Sequence, residues 1–485
     1  MRVLFLQDLG INESLAITDL SAFLKTHGHY CDLLIERDEK NLFKLIKDFS
    51  ADLFIIPCDI FGHHHWALRM ASNVKRLFGK LIIFCGTYTS FYPQIIDNPN
   101  VDIVCIGESE YALLELIEKL EENKDISSIQ NLWVKKDGKI YKNDLRQLIS
   151  NLDELPLPDR EIYFKYKYIR DFSLKRFASG RGCPNCCSYC YNPLYREKYR
   201  NKGKYTRRKS VIRVIQEIED VRRKSTVKSI HFSDDLFIHD KDWVLKFSQA
   251  YKEKINLTFT CNAVADLIDE ELISALRDAN CSGIAIGIES GNEKLRNFVL
   301  NKNITNHQII KAAKLIKRYG LFLTTFNMIA FPNETLENAF ETLEINAKIK
   351  ADNIRLYFTF PLPETQLTNY ALKNKLINRN QLEGISNITM FPKRPMFNSN
   401  HNKQFENLFY LFYFGSKFPW LIPIMKRILK LVPVRFTFVL SPVISLISLY
   451  KEKKNFKISW ISGIRFFLHT GGVKKRTKVF NNYMP

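Results

Sequence analysis

The segment "RGCPNCCSYC", residues 181–190, holds four of the ten cysteines in this chain of 485 residues. Cys183, Cys187 and Cys190 follow a C-x3-C-x2-C spacing, with Cys186 between the first two. A zinc site usually combines two well-separated Cys/His pairs, and the sequence offers no second pair with suitable spacing. Thiolates are also the protein ligands of iron–sulfur clusters. Zinc, a disulfide and an iron–sulfur site are therefore the three interpretations to compare.

The cysteine segment directly follows the first strand of a predicted strand–helix series. Helical segments such as "SVIRVIQEIEDVRRK" separate the strands, which indicates parallel pairing. Six such units in about 200 residues predict a partial (βα)6 barrel over residues 171–390, whose chemistry belongs at the C-terminal strand ends. The predicted strands are Leu174–Ser179, Val227–Phe232, Leu257–Cys261, Ile284–Ile288, Leu321–Met328 and Ile354–Phe358.

Residues 1–145 predict a second α/β unit, an N-terminal doubly wound (Rossmann-like) parallel sheet. Short apolar runs alternate with amphipathic stretches that end on glycine, and Asp137-Gly138 predicts a hairpin. Ligands of such sheets bind at the carboxyl ends of the strands. These ends are Asp8–Gly10, Pro57–Asp59, Gly86–Thr89 and Gly107–Glu108. Residues 146–170, with the proline-rich "LPLPDRE", predict a linker.

Three further motifs follow the cysteine segment in barrel order. They are "HFSDDLF" after the second predicted strand, "IAIGIESG" at the fourth and "NMIAFPNET" at the fifth. Together with the C-x3-C-x2-C spacing they resemble the radical SAM superfamily. The third motif has Ala330 and Asn333 where that family usually has glycines, which puts the detailed geometry of its loop in doubt.

This resemblance implies a [4Fe-4S] cluster held by Cys183, Cys187 and Cys190, with Cys186 as an unligated neighbour. Three thiolates cap three irons, and in the family the fourth iron takes the amino and carboxylate groups of S-adenosylmethionine (SAM). A disulfide is disfavoured because no signal peptide precedes the chain, so a reducing, cytoplasmic location is expected.

The same resemblance assigns residues to SAM. The Asp234–Asp235 pair would meet the SAM ammonium group, although an aspartate pair capping the next helix is the plainer alternative. Glu289 and Ser290 would serve the ribose or methionine part, and Gly287 would allow a close approach of the backbone. Tyr189, within the cysteine segment, is also assigned to cofactor binding.

The first domain resembles that of the cobalamin-binding radical SAM group, through Gly86, Pro93 and "GESE" at residues 107–110. The first loop, "QDLGINE", lacks the histidine with which some cobalamin proteins ligate cobalt. "GHHHW", residues 62–66, could supply a metal ligand, but polar residues opening a helix are the plainer explanation. The expected cobalamin-binding residues are Asp8, Gly10, Gly86, Thr87, Gly107 and Glu108.

The group's chemistry implies an enzyme that forms a 5′-deoxyadenosyl radical and, with cobalamin, methylates an unactivated carbon. Two alternatives stay open: a non-methylating cobalamin radical SAM cyclase or oxidoreductase, and a tRNA methylthiotransferase-like enzyme. A flavodoxin- or ferredoxin-type reductant is an expected partner. The substrate could be a small molecule, a lipid or a peptide, and a nucleic acid is not expected.

Residues 391–485 predict a basic, aromatic and mainly helical tail. Residues 401–485 carry fifteen Lys/Arg and two acidic residues, a net charge of +13 of the chain's +21. Basic and aromatic residues together suit peripheral contact with an anionic membrane, whereas a helical cap packed near the barrel mouth is the main alternative. Charge alone does not choose between them.

Overall fold

The structure is a computed structural model that describes residues 1–9, 13–58, 63–384, 392 and 394–431. Gly10, Asp59, Gly62 and the tail from residue 432 onward lie outside the described residues. The predictions that rest on them therefore stay predictions.

Five parallel strands and one antiparallel hairpin form the first sheet, in the order β2-β1-β3-β4-β5-β6-β7. This confirms the predicted doubly wound sheet. Asp137 and Gly138 both have positive φ, 50° and 72°, as a two-residue hairpin turn requires. The strands are β1 Arg2–Gln7, β2 Tyr30–Ile35, β3 Leu53–Pro57, β4 Leu81–Cys85, β5 Ile103–Cys105, β6 Leu132–Lys136 and β7 Lys139–Lys142.

Helices cover both faces of this sheet. Buried side chains of α1 and α5 pack on one face, and those of α2 and α3 pack on the other. The strand order reverses between β1 and β3, where parallel sheets of this type leave a crevice for ligands at the carboxyl edge. The helices are α1 Leu15–Thr26, α2 Leu42–Phe49, α3 His63–Phe78, α4 Thr87–Phe91 and α5 Glu110–Glu121.

The second sheet has six parallel strands in the order β15-β14-β13-β12-β11-β8, which confirms the partial barrel. A small antiparallel pair flanks the cysteine segment, with β9 at its start and β10 after α7. The strands are β8 Leu174–Phe177, β9 Gly180–Arg181, β10 Arg207–Arg208, β11 Ser229–Phe232, β12 Thr258–Ala263, β13 Cys281–Glu289, β14 Phe322–Ile329 and β15 Asn353–Phe358.

Most of the remaining helices lie between or after these strands. Several begin at a residue whose side chain accepts from the first helical turn, as with Ser210, Asp240 and Thr305. They are α6 Lys167–Arg170, α7 Tyr191–Lys198, α8 Val211–Lys224, α9 Lys241–Lys254, α10 Glu270–Asp278, α11 Asn306–Arg318, α12 Leu336–Lys348, α13 Gln366–Lys373, α14 Arg379–Gly384, α15 Asn402–Lys417 and α16 Ile422–Leu431.

The described part of the tail is helical, as predicted, and packs against α12. Phe405, Leu408 and Phe412 of α15 are buried there together with Met425 of α16. Lys426 adds ion pairs to two acidic residues of α12. Among the described residues, no helix is long and apolar enough to cross a bilayer.

The segment predicted as a linker packs on the first domain. Ile162, Tyr163 and Tyr166 join the core beneath α1 and α5, because their side chains are apolar enough to be buried there. Arg160 of the same segment donates to Glu13, which also accepts from Lys175 of β8 at 2.9 Å. Glu13, Arg160 and Lys175 are all buried, so a three-membered charge cluster joins the two sheets.

Removing Glu13 should destabilise the protein strongly. Burial alone would raise the pKa of Glu13, but Arg160 and Lys175 hold it below its ordinary value. Glu13→Ala would leave both cations buried and unpaired, a change that typically costs about 3–5 kcal/mol. We expect a markedly lower thermal midpoint, while Glu122→Ala at an exposed ion pair should have little effect. Equal midpoints for the two variants would contradict the interpretation.

Candidate active site

The cysteine segment lies between β9 and α7, at the C-terminal end of the first barrel strand, as predicted. Cys183 and Cys187 are buried, Cys190 is half-buried at the N-cap of α7, and Cys186 is exposed. The Cys186 thiol accepts a hydrogen bond from Arg196 Nη2 at 2.8 Å. In exposure and hydrogen bonding, Cys186 therefore differs from the other three.

The three less exposed thiols influence one another. Burial raises the pKa of Cys183 to about 11, and the negative charges of Asp235, Cys190 and Cys187 act in the same direction. Burial also raises the pKa values of Cys187 and Cys190. The thiols are therefore protonated at neutral pH until a metal binds.

Within the described residues, no three Cys, His, Asp or Glu side chains converge to hold a single metal ion. A mononuclear zinc site needs such convergence. In an iron–sulfur cube each cysteine binds a different iron, so its sulfurs need not meet at one point. The donor set, three neighbouring thiols on one loop, is one that fits an iron–sulfur cube.

A cavity of about 1200 Å³ adjoins the cysteine segment. Cys187 and Cys190 line one side, and Arg196, Tyr205 and His239 are among the residues of the other sides. The cavity has room for a cluster and a ligand of nucleotide size.

Glu289 ends β13 with a positive φ of 62° and forms a buried ion pair with Lys302, at 2.8 Å. Lys302 Nζ also lies 3.5 Å from the Tyr189 hydroxyl, so the pair borders the cysteine segment. Burial alone would lower the pKa of Lys302, but Glu289 raises it above its ordinary value. The sequence analysis missed Lys302, since a lysine in an irregular loop carries no spacing signal.

Gly287 makes room for this ion pair. A Cβ atom at Gly287 would lie 2.3 Å from Glu289 Oε1 and 2.4 Å from Lys302 Nζ. The sequence suggested that Gly287 allows a close approach of the backbone; in the structure the atoms nearest to it are those of two side chains.

Ser290 supports the loop after β13. Its side chain is fully buried and accepts from the Asn292 amide at 3.2 Å. Its carbonyl oxygen accepts from Arg296 Nη1 at 2.7 Å. The position of Ser290 therefore favours a structural role over the predicted contact with SAM.

The two aspartates after β11 have different surroundings. Asp234 is buried, and its carboxylate accepts from both the amide and the hydroxyl of Ser179. Asp235 is exposed and accepts from Asn192 Nδ2 at 3.2 Å, beside Cys190. The alternative that this pair caps the next helix is not supported, because Asp240 caps α9.

Glu108, predicted to bind a cofactor, joins the first domain to the cysteine segment. Its carboxylate pairs with Arg181 at 2.8 Å and with Arg207 at 2.9 Å, and Arg181 also pairs with Glu110 at 2.6 Å. Although burial would raise the pKa of Glu108, the two arginines hold it below its usual range. Since its carboxylate is fully engaged, Glu108 connects the domains in this structure.

Three other predicted residues of the first domain lie at the carboxyl edge of the sheet. Asp8 is buried and forms a two-point ion pair with Arg37. Gly86 has a φ of 112° and precedes α4, and its carbonyl oxygen accepts from two side chains of that helix. Thr87 is the first residue of α4. The backbone of Gly86 and Thr87 therefore borders the crevice, whereas the Asp8 side chain is already paired.

Aromatic rings line the contact between the sheet edge and α7, a feature that the sequence analysis missed. Phe91 stacks on Tyr191 with ring centroids 4.0 Å apart. Tyr88 stacks on Tyr92 at 5.1 Å and on His64 at 4.4 Å. Burial lowers the pKa of His64 to about 3, so its ring is neutral. The edge is thus filled by flat, largely apolar rings that pack on one another.

Residues 178–345 match the family described as the Radical SAM superfamily. The chain is 28% identical over 340 residues to an uncharacterized methyltransferase of Pyrococcus horikoshii, a match that spans 69% of this chain and 72% of that protein. It is 26% identical over 289 residues to the anaerobic magnesium-protoporphyrin IX monomethyl ester cyclase of Rubrivivax gelatinosus, with 57% and 50% covered.

Among solved structures, the fold is similar to that of the radical S-adenosylmethionine methyltransferase TsrM from Kitasatospora setae, solved with cobalamin and a [4Fe-4S] cluster bound. The TM-score is 0.65 at 15% identity, and 77% of this chain and 78% of TsrM are covered. The match to the superfamily spans the cysteine segment and four of the six barrel strands, β11 to β14. Residues 178–345 therefore form a radical SAM domain.

Gly107 should be intolerant of a side chain because Tyr199 fills the space beside it. Its φ is 77°, and a Cβ atom there would lie 1.7 Å from the Tyr199 hydroxyl oxygen. We expect Gly107→Ala to combine backbone strain with overpacking, each about 1–3 kcal/mol, and so to lower the thermal midpoint.

Gly138 provides the matched control, because its φ of 72° is similar but nothing lies within 4 Å of the added Cβ. Gly138→Ala should show the cost of backbone strain alone. If the two variants melt at the same temperature, the close packing of Tyr199 on Gly107 does not contribute to the free energy of unfolding.

Proposed function

We propose that this protein is a cobalamin-dependent radical SAM enzyme that methylates an unactivated carbon. One observation carries the proposal: Glu108, at the carboxyl edge of the first sheet, pairs with Arg181 beside the cysteine segment. The ligand-binding edge of one domain thus faces the predicted cluster site of the other. A substrate between them would be within reach of both cofactors.

In this proposal Cys183, Cys187 and Cys190 hold a [4Fe-4S] cluster. The loop would supply the three thiolates, and the cluster together with SAM would supply the radical chemistry. Cys186 stays outside the cluster, since its thiol is exposed and hydrogen-bonded to Arg196.

Two groups near the cysteines are available to orient SAM. Asp235 is exposed beside Cys190 and would accept from the ammonium group, whereas Asp234 is occupied by Ser179. Glu289, held by Lys302 at 2.8 Å, would accept from ribose hydroxyl groups. Tyr189, whose hydroxyl lies near Lys302, would border the same ligand.

Cobalamin would bind at the carboxyl edge of the first sheet, near the reversal between β1 and β3. The ring of the half-buried Tyr92 suits contact with a large flat macrocycle, which could approach the half-buried backbone at the turn of Gly86. When bound, cobalamin supplies the methyl group. The enclosing residues exclude water from the radical.

The relatives support methylation, since one is named a methyltransferase and the structurally similar TsrM is a methyltransferase with cobalamin and a cluster bound. The similarity to a porphyrin ester cyclase favours one second candidate, a non-methylating cyclase or oxidoreductase of the same cofactor set. Product mass separates the two, because methylation adds one CH2 whereas cyclisation removes hydrogens.

A tRNA methylthiotransferase-like activity is less well supported. Those enzymes hold a second cluster with cysteines of the first domain. In this chain Cys31, Cys58, Cys85 and Cys105 are all buried in the sheet or at strand ends. Burial raises the pKa of Cys31 and of Cys105 to about 12, as expected for thiols that pack as small apolar groups.

The partners belong to the same proposal. A low-potential reductant is required, and a flavodoxin or ferredoxin type would supply the electron. The substrate is a small molecule, a lipid or a peptide. The helix α16 is amphipathic, and Trp420 and Leu431 are exposed near its ends. The proposal therefore includes peripheral membrane contact through the tail.

Two neighbouring cysteines test the cluster assignment. Cys187→Ala should lose most of the bound iron, the cluster's visible absorbance and all release of 5′-deoxyadenosine, because one iron loses its ligand. Cys186→Ala, one residue away but exposed, should retain all three. Iron analysis, absorbance spectra and chromatography of anaerobic samples give the readouts. A normal cluster and radical formation in Cys187→Ala would refute the proposed enzyme.

Cobalamin binding is tested separately. Protein reconstituted anaerobically with excess hydroxocobalamin should retain close to one equivalent after desalting, measured by absorbance of the corrin. If no cobalamin is retained while SAM is still cleaved, the proposed methyl transfer from cobalamin is refuted. The proposed radical SAM activity would then still hold.

A further inference from the structure

His64 is a buried histidine at the start of α3. It lies in the first turn of that helix, which follows β3 in the chain, and is 3% exposed. Among the residues that the structure describes, neither Nδ1 nor Nε2 has a hydrogen-bond partner. Leaving a buried polar group unsatisfied costs about 1–3 kcal/mol, so such a group in a native fold calls for an explanation, such as a ligand.

The surroundings fix the orientation of this imidazole. It stacks on Tyr88, with ring centroids 4.4 Å apart and planes 4° apart, and Tyr88 belongs to α4 directly after β4. His64 therefore lies at the carboxyl edge between β3 and β4. That edge adjoins the reversal of strand order between β1 and β3, where such sheets bind ligands.

The two flanking histidines differ from His64. His65 is exposed, and its ring lies against that of His64, with centroids 4.1 Å apart and planes tilted by 44°. His63 is half-buried, and the charges of Asp8 and Arg37 act on it. Of the three, His64 alone combines burial at the sheet edge with two unpaired ring nitrogens.

We propose that His64 supplies a nitrogen ligand to the cobalt of bound cobalamin. The inference rests on the proposed function. The bond would form by donation of a ring-nitrogen lone pair to cobalt, with no net transfer of electrons, and imidazole suits transition metals of this kind. Some cobalamin proteins ligate cobalt with a histidine of the first loop, which "QDLGINE" lacks. His64 would supply the equivalent ligand from α3.

Electron paramagnetic resonance of the bound Co(II) cofactor tests the ligand directly. Protein reconstituted with cobalamin and reduced to cob(II)alamin should show cobalt lines split into triplets by one ¹⁴N nucleus. In protein grown with ¹⁵N-histidine and natural-abundance cobalamin, the triplets should become doublets, because the coupled nitrogen comes from the protein and not from the cofactor's own base.

His64→Phe is the decisive variant, since it keeps a ring to stack on Tyr88 but has no nitrogen. We expect it to bind cobalamin without the histidine-derived splitting, while the matched control His65→Phe keeps that splitting. A thermal melt of each variant confirms folding. Bound cobalamin without ¹⁵N-histidine coupling, or coupling that persists in His64→Phe, overturns the inference alone; a protein that retains no cobalamin refutes the cobalamin proposal as well.

Discussion

A single carboxylate between two arginines holds the proposed catalytic arrangement together. Glu108 belongs to the first domain, whereas Arg181 and Arg207 belong to the small strand pair that carries the cysteine segment. The three side chains are largely buried, so the interaction is screened weakly by salt. Together with the buried cluster of Glu13, Arg160 and Lys175, this interaction joins the edge of the first sheet to the barrel.

The elements of both sheets could be predicted from the sequence because their strands are short, apolar and separated by amphipathic helices. The barrel strands were predicted to within a few residues at each end. The C-x3-C-x2-C spacing was equally informative, since a loop of eight residues brings its thiols together whatever the rest of the chain does. Local sequence patterns therefore predicted the strands, the helices and the cysteine loop, because each of these depends on residues that are close together in the chain.

What the sequence did not reveal depends on contacts between distant residues. Lys302 meets Glu289 only because an irregular loop turns back toward the end of β13. Arg181 and Arg207 lie 73 and 99 residues from Glu108 along the chain, so nothing near "GESE" indicates its partners. The difference between Asp234 and Asp235 likewise arises from which of two adjacent side chains points at Ser179.

Cys186 has a chemical consequence of its own. It is the exposed member of a group of four thiols, and exposure governs which sulfur an oxidant reaches first. Peroxide or air would thus attack a sulfur that the proposed cluster does not use. A sulfenic acid formed at Cys186 would be adjacent in the chain to Cys187. Whenever the cluster is absent, it could condense with the Cys187 thiol to a disulfide.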